Sequence, residues 1–198
     1  MESGSPRSYQ MRKRAEQVAQ TRQRIVDATV RLHTSIGPAR TTIMGVAAEA
    51  GVTRATVYSH FASDDELFTA CTEQWVTEHP PPNPAPWIGI EDLQKRATGI
   101  LGDIYAWFSD NAHDLRLVNR DLDAMPGLVA QAQASLEQAM AQALLADEPT
   151  FGARGRRLQA AAAHLVSFPT WDSLVSRGHL NHAEVVNLAV AFLRAAAD

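Results

Sequence analysis

The sequence predicts an all-α protein of about nine helices, with an N-terminal three-helix domain built on a helix-turn-helix and a C-terminal helical domain. Three observations carry that prediction. No stretch alternates apolar and polar residues with the period of two that marks a half-buried strand. From residue 25 onward, apolar residues recur at intervals of three and four. Ala47, Gly51 and Val57 stand four and then six residues apart, supplying in order the small crossing residue, the left-handed turn and the inward anchor that a helix-turn-helix needs.

Residues 1–20 are polar, include Gly4 and Pro6, and are expected to form a disordered basic arm. Ile25, Ala28, Thr29, Leu32 and Ile36 then trace a first helix that "GPA" terminates. Thr42 is the expected N-cap of "IMGVAAEA" and Thr53 that of "RATVYSH". "SDDE" at 63–66 has the form of a capping box, so a fourth helix should open at Ser63 and run as a linker over 64–78. The prolines of "HPPPNPAPW" end it and predict a stiff, extended connector. The domain limits expected are therefore 21–64 for the helix-turn-helix domain and 65–198 for the rest.

Beyond the connector, Leu93, Ala97, Ile100, Ile104 and Phe108 mark a long helix, and a shorter one covers about 111–123. Pro126 suits the first turn of the next, which carries Leu128, Ala132, Leu136, Ala139 and Ala143. After "DEPTFGARG", Leu158, Ala161, Leu165, Phe168 and Val175 trace another helix, and Pro169 within it predicts a kink or break near Leu165. A last helix spans about 182–196.

Charge is divided unevenly. Residues 1–62 carry nine Lys/Arg against four Asp/Glu, a net +5, while the rest carries nine against eighteen, a net −9. That asymmetry suits one surface made for a polyanion and another that is not. The N-terminus lacks the apolar core of a secretory signal, no apolar run is long enough to span a membrane, and the single Cys71 has no internal disulfide partner. A cytoplasmic protein without membrane contact is expected. His79, His113, His164, His179 and His182 lack zinc-site spacing, and neither a glycine-rich phosphate loop nor a Gly-x-Ser-x-Gly elbow occurs. No metal, catalytic residue or cofactor is expected.

With Val57 turned inward, "GVTRATVYSH" is polar because its working face points out. The stretch "TTIMGVAAEAGVTRATVYSHFASDDELF" at 41–68 resembles the tetracycline-repressor (TetR) family of transcriptional regulators: a Thr pair, Val46-Ala47, Ala-Gly-Val at 50–52, Tyr58 and Phe61 as Tyr-x-x-Phe, and Leu67. The strong likeness covers about residues 22–70, and a "TW...L...G.L" turn at 170–180 is similar to many members. The resemblance implies a third helix in the major groove of double-stranded DNA, with Arg54, Ala55 and Thr56 at base edges and Tyr58 and His60 on phosphates. The chemistry agrees: arginine pairs with guanine, a threonine methyl packs on thymine, and the Tyr58 and Ser59 hydroxyls suit phosphate oxygens. The helix starts at Thr42 and Thr53 aim free backbone donors outward, and Arg12, Lys13, Arg14 and Arg22 can add contacts from the arm. The sequence departs from the family at Asp64, where members commonly carry a phosphate-binding lysine.

The last helix is apolar over two faces, Val185, Leu188, Ala189 and Phe192 on one and Val186, Val190 and Leu193 on the other. One face can cover its own domain and the other a second copy, so a homodimer is expected through Leu174, Val185, Val186, Leu188, Ala189, Phe192 and Leu193. The resemblance implies the same, with a four-helix interface, a palindromic operator, and an unknown small-molecule effector that tilts the fourth helix. Candidate effector contacts are Tyr105, Trp107, Phe108, His113, Arg116, Asn119, Arg120, Met125, His164, Phe168 and Trp171. The rival readings are a helical ligand-binding or catalytic protein that keeps the helix-turn-helix as scaffold, and an all-α adaptor with a protein partner.

Overall fold

The computed structural model describes residues 6–149 and 151–198, with side chains from Tyr9 onward. Eleven α-helices and two short 3-10 turns make up the described chain. It divides into two units, one of residues up to Glu78 with Arg120–Pro126, the other of His79–Asn119 with Gly127–Asp198.

The first unit holds α1 (Pro6–Ser35), α2 (Ile43–Ala50), α3 (Arg54–His60) and α4 (Asp64–Glu78). Ile25, Val26, Ala28, Val46, Ala47, Val57, Phe61 and Leu67 form its core, so α1, α2, α3 and α4 share one apolar centre. The expected linker helix is thus an integral part of this unit. The expected disordered arm is helical from Pro6, and only residues 1–5 of it lie outside the described residues. Propensity explains the difference: after Pro6 at the first turn, the arm is built of Gln, Met, Arg, Lys, Ala and Glu with no breaker, and Arg12 pairs with Glu16 one turn on at 3.2 Å.

Between α1 and α2, Gly37 has a φ of 93°, a backbone that L side chains rarely adopt. Residues 120–126 seal that corner. Asp121 accepts from the Ala39 N–H at 3.1 Å, and Arg120 donates to the Ile36 carbonyl at 3.1 Å. A methyl group on residue 37 would collide with both side chains. The hydrogen bond from Arg120 holds the Asp121 carboxyl below its usual range.

The second unit holds α5 (Ala85–Ile88), α6 (Leu93–Asp110), α7 (Ala112–Arg120, less its last residue), α8 (Gly127–Leu144), α9 (Gly152–Leu165), α10 (Phe168–Ser176) and α11 (His182–Ala197). α6 lies against α8, α10 and α11, and α9 packs between α8 and α11. The proline connector is not extended throughout. Pro84 and Pro86 stand at the start of the single-turn α5, where a missing N–H costs nothing. Trp87 then lies over Gly99 of α6 and donates from Nε1 to Asp103 at 2.7 Å. The Pro169 break is present: α9 ends at Leu165 and α10 starts at Phe168 with the proline in its first turn. α5 and this break account for the helices beyond nine.

Arg96 on α6 is 0% exposed. Its Nε donates to the Leu144 carbonyl at 3.0 Å, closing the C-terminus of α8, and its Nη1 donates to the Ile90 carbonyl. Nη2 has no hydrogen-bond partner among the described residues but stands 3.8 Å from the Glu148 carboxylate. One guanidinium therefore fastens the start of α6 to the end of α8.

Candidate functional site

The outward face of α3 is set by two caps and one turn. Thr42 accepts from the Gly45 N–H at 3.1 Å and Thr53 from the Thr56 N–H at 3.1 Å, which fixes where α2 and α3 begin. Between them Gly51 takes the left-handed conformation, φ 65°, ψ 39°. Val57 is 1% exposed and faces the core. Thr42, Thr53, Arg54, Ala55, Tyr58 and Ser59 are exposed, and Thr56 and His60 half-buried. All eight residues singled out from sequence therefore lie on α2 or α3 or at their caps, within one rigid motif.

Side chains on this face are held in place. The Arg54 guanidinium lies 5.4 Å from the centre of the Tyr58 ring, and the Thr53 and Thr56 hydroxyls are 2.9 Å apart. Arg22 of α1 covers the Phe61 ring at 4.7 Å, and Arg31 pairs with Glu49 at 2.9 Å, tying α1 to α2. At Asp64 the departure noted in the sequence has a structural consequence, because its carboxylate accepts from the Tyr58 hydroxyl at 3.2 Å. A phenol suited to a phosphate oxygen is engaged by a negative charge. Ser63 accepts from the Glu66 N–H at 3.1 Å, and Glu66 reaches back to the Ala62 N–H at 2.7 Å, one residue before the expected partner.

Between α1 and α4 the expected burial of Cys71 comes with a partner, His33, that the sequence did not single out. His33 is 5% exposed, its ring meets Phe68 edge-on at 4.6 Å, and its Nδ1 is 3.4 Å from the Cys71 sulfur. Its Nε2 is buried without a hydrogen-bond partner among the described residues. Burial lowers the His33 pKa to about 4, with the Asp121 charge acting the other way, and pushes the Cys71 thiol up to about 12. Both are neutral at pH 7, so Cys71 behaves as a core residue. In the unfolded chain His33 titrates near 6.5. As pH falls through that value the unfolded state takes up a proton that the folded state refuses until about pH 4. Stability that is complete above pH 6.5 is therefore lost on the acid side. Between pH 6.5 and 5 the wild type is expected to lose about 1.5 kcal/mol more than His33→Leu, read from urea unfolding of the first unit, and parallel pH curves would refute this.

The eleven effector candidates do not gather into one lining. Tyr105, Phe108, Phe168 and Trp171 are buried against one another, with centroids 5.4 Å apart for Phe108 and Phe168 and 5.5 Å for Phe168 and Trp171. The Tyr105 hydroxyl is committed to the Leu165 carbonyl at 2.9 Å, and burial raises its pKa. Trp107 donates to the His79 carbonyl at 3.2 Å, Arg116 is paired with Asp172 at 2.7 Å, and Asn119 donates to the Leu115 carbonyl at 2.8 Å. His113 is exposed on α7. His164 stands on the outer side of α9, 3.2 Å from the Thr170 hydroxyl and with its ring 6.3 Å from that of Phe192. Arg120 and Met125 belong to the first unit.

The expected dimer residues also separate. Val185, Val186, Ala189 and Leu193 are buried within their own unit, because α11 packs on α6 and on α9 at once. Leu174 is half-buried against the same core. Leu188 and Phe192 alone of that set turn outward, 47% and 50% exposed. Ala191 and Ala195 continue their stripe.

The described chain thus carries a capped, glycine-turned helix-turn-helix with a polar outer face on an otherwise helical body. Residues 25–71, within the N-terminal unit, match the family described as bacterial regulatory proteins, tetR family. The chain as a whole has the fold of TetR-like regulators. A TetR-like transcriptional regulator from Rhodococcus sp. RHA1 is similar at a TM-score of 0.54 and 20% identity over 88% of this chain and 93% of that one. The multidrug binding protein EbrR, complexed with imidazole, is similar at a TM-score of 0.54 and 23% identity over 89% of each chain. The transcriptional regulator FadR from Bacillus subtilis, in complex with stearoyl-CoA, is similar at a TM-score of 0.50 and 14% identity over 89% of this chain and 97% of that one. No curated protein matches the sequence. Among the described residues no helix is long and apolar enough to cross a membrane.

Proposed function

We propose that this protein is a cytoplasmic transcriptional repressor that binds a palindromic operator as a homodimer and releases it on binding a small-molecule effector. The observation that carries the reading is the outward face of α3, whose Arg54, Ala55, Thr56, Tyr58 and His60 project from a motif fixed by Thr42, Gly51 and Thr53. Arg54 serves as a bidentate donor to a guanine, Ala55 and the Thr56 methyl as apolar contacts, and Tyr58, Ser59 and His60 as phosphate donors. Arg12, Lys13, Arg14, Arg22 and Arg24 extend the basic surface along exposed α1. The chain binds rather than catalyses.

The exposed stripe Leu188, Ala191, Phe192 and Ala195 on α11, beside Ala160 and His164 of α9, is apolar surface that a second copy would cover. A twofold pair presents two reading helices to half-sites separated by a multiple of roughly 34–36 Å. Bound small molecules in two of the similar structures support an effector here.

Selection of bound duplexes from a random pool tests the reading. A palindrome should be enriched at low salt, with affinity falling steeply as salt rises. No enrichment at low salt would overturn it in favour of a helix-turn-helix kept as scaffold.

Asp64 gives a second check. Asp64→Lys removes a carboxylate that repels phosphate, frees the Tyr58 hydroxyl and adds one cation at the start of α4. Binding to any duplex should tighten several-fold at low salt, and the slope of log K against log salt should steepen by about one. Unchanged affinity and slope would show that the start of α4 stands away from DNA.

A further inference from the structure

The second unit holds a groove away from its aromatic core, between α8 and α9. Its volume is about 720 Å³, within the range of small-ligand sites, roughly 300–1,000 Å³. Alanine methyls and Leu145 form the apolar part of its lining, and Glu137, Glu148, Gln138, Gln142 and Gln159 the polar part. The two carboxylates differ. Glu148 is met by Arg154 at 2.9 Å and by Arg96 at 3.8 Å. Glu137, half-buried, receives a hydrogen bond from the amide of Gln133 at 3.3 Å and has no ion-pair partner among the described residues. The groove thus carries one uncompensated negative charge, in a wall where partial burial strengthens its pull on a cation.

The rest of the lining narrows the class of cation. No aromatic ring lines the groove, so the cage that holds quaternary ammonium groups is missing. Three glutamine carbonyls are acceptors for N–H donors. A primary ammonium has three donors, which one carboxylate and two amides can satisfy, and an aliphatic tail can lie on the alanines and Leu145. We propose that the α8–α9 groove binds a primary alkylammonium, its charge held by Glu137, its remaining donors by the glutamine amides and its tail by the apolar wall. As an effector site the groove deepens the regulator reading and rests on it; as a binding site it does not.

Calorimetric titration of the full chain at pH 7 with octylammonium, octyltrimethylammonium and octanoate tests this. Octylammonium should bind saturably at one site per chain, octyltrimethylammonium more weakly, and octanoate not at all. Glu137→Gln should weaken octylammonium about tenfold or more, the loss of one charged hydrogen-bonding partner. Ala163→Phe, which fills the groove and leaves Glu137 in place, should abolish binding. Absence of saturable octylammonium binding, equal affinity in Glu137→Gln or Ala163→Phe with wild-type thermal unfolding, or equal affinity for octanoate would each overturn the proposal. The titration contains no DNA, so its failure leaves the operator selection standing, and a failed selection leaves the titration standing.

Discussion

Arg54→Ala is expected to bind the selected operator some 10- to 100-fold more weakly than wild type and to relax selection at one base position in each half-site. The loss corresponds to about 1–3 kcal/mol for a bidentate arginine contact per half-site. The effect should be one of affinity alone, because Arg54 is exposed, makes no ion pair among the described residues, and touches its own unit through the Tyr58 ring. Melting temperature and the circular dichroism of the helices should match wild type. Two controls separate base reading from simple attraction. Arg54→Lys keeps the charge but loses the planar fork, so it should retain binding to random duplexes while the preferred base is lost. Arg24→Ala, which removes an exposed cation on α1, should weaken all sequences alike and leave the preferred site unchanged. Equal relaxation of sequence choice in Arg54→Ala and Arg24→Ala would show that α3 does not read bases. Direct binding and salt titration of the three variants on selected and scrambled duplexes supply every comparison.

The helix-turn-helix was legible in the sequence because its determinants are local. A cap and the N–H it satisfies are three residues apart, as at Thr42 and Gly45 or Thr53 and Thr56, and the turn needs one glycine at one position. Pro169 is equally local, and the helix breaks where its ring forbids continuation. The features that the sequence left open depend on partners far along the chain. α11 reads as apolar on two faces, but how much of the second is left for another copy depends on how α9, a separate helix earlier in the chain, packs on it. The aromatics at 105, 108, 168 and 171 have the composition of a ligand pocket and of a core alike, and only their packing decides. The groove offered no signal at all: Glu137 and the glutamines of α8 read as an ordinary solvated face until Gln159 and Ala163 of α9 are set opposite them. For the N-terminal arm the apolar period was the wrong guide. A helix that packs on little needs only propensity, which the arm has.

Arg96 is the strongest case of a residue whose role is set by distant partners, and its removal should have the largest effect on stability. In the sequence it stands between Leu93 and Ala97 as one more cation on a long helix, the usual sign of a solvated position. In the fold it is fully buried, and its charge is matched by Asp147 at 3.5 Å and Glu148 at 3.8 Å. Arg96→Ala would leave the Leu144 and Ile90 carbonyls without their donor, Glu148 with Arg154 alone, and a void where the guanidinium lay. Breaking a buried, hydrogen-bonded charge in this way costs about 3–5 kcal/mol. Arg96→Lys should recover only part of that, since one ammonium cannot reach carbonyls on both sides as the planar fork does. The damage should stay in the second unit. Urea unfolding followed by the fluorescence of Trp87, Trp107 and Trp171, all in that unit, should shift to much lower denaturant, while Trp75 in the first unit reports an unchanged transition in a variant that lacks the other three. A shift of both transitions together would mean that the two units unfold as one. No shift in either would mean that water satisfies the carbonyls as well as Arg96 does, and that its burial contributes nothing to holding α6 on α8.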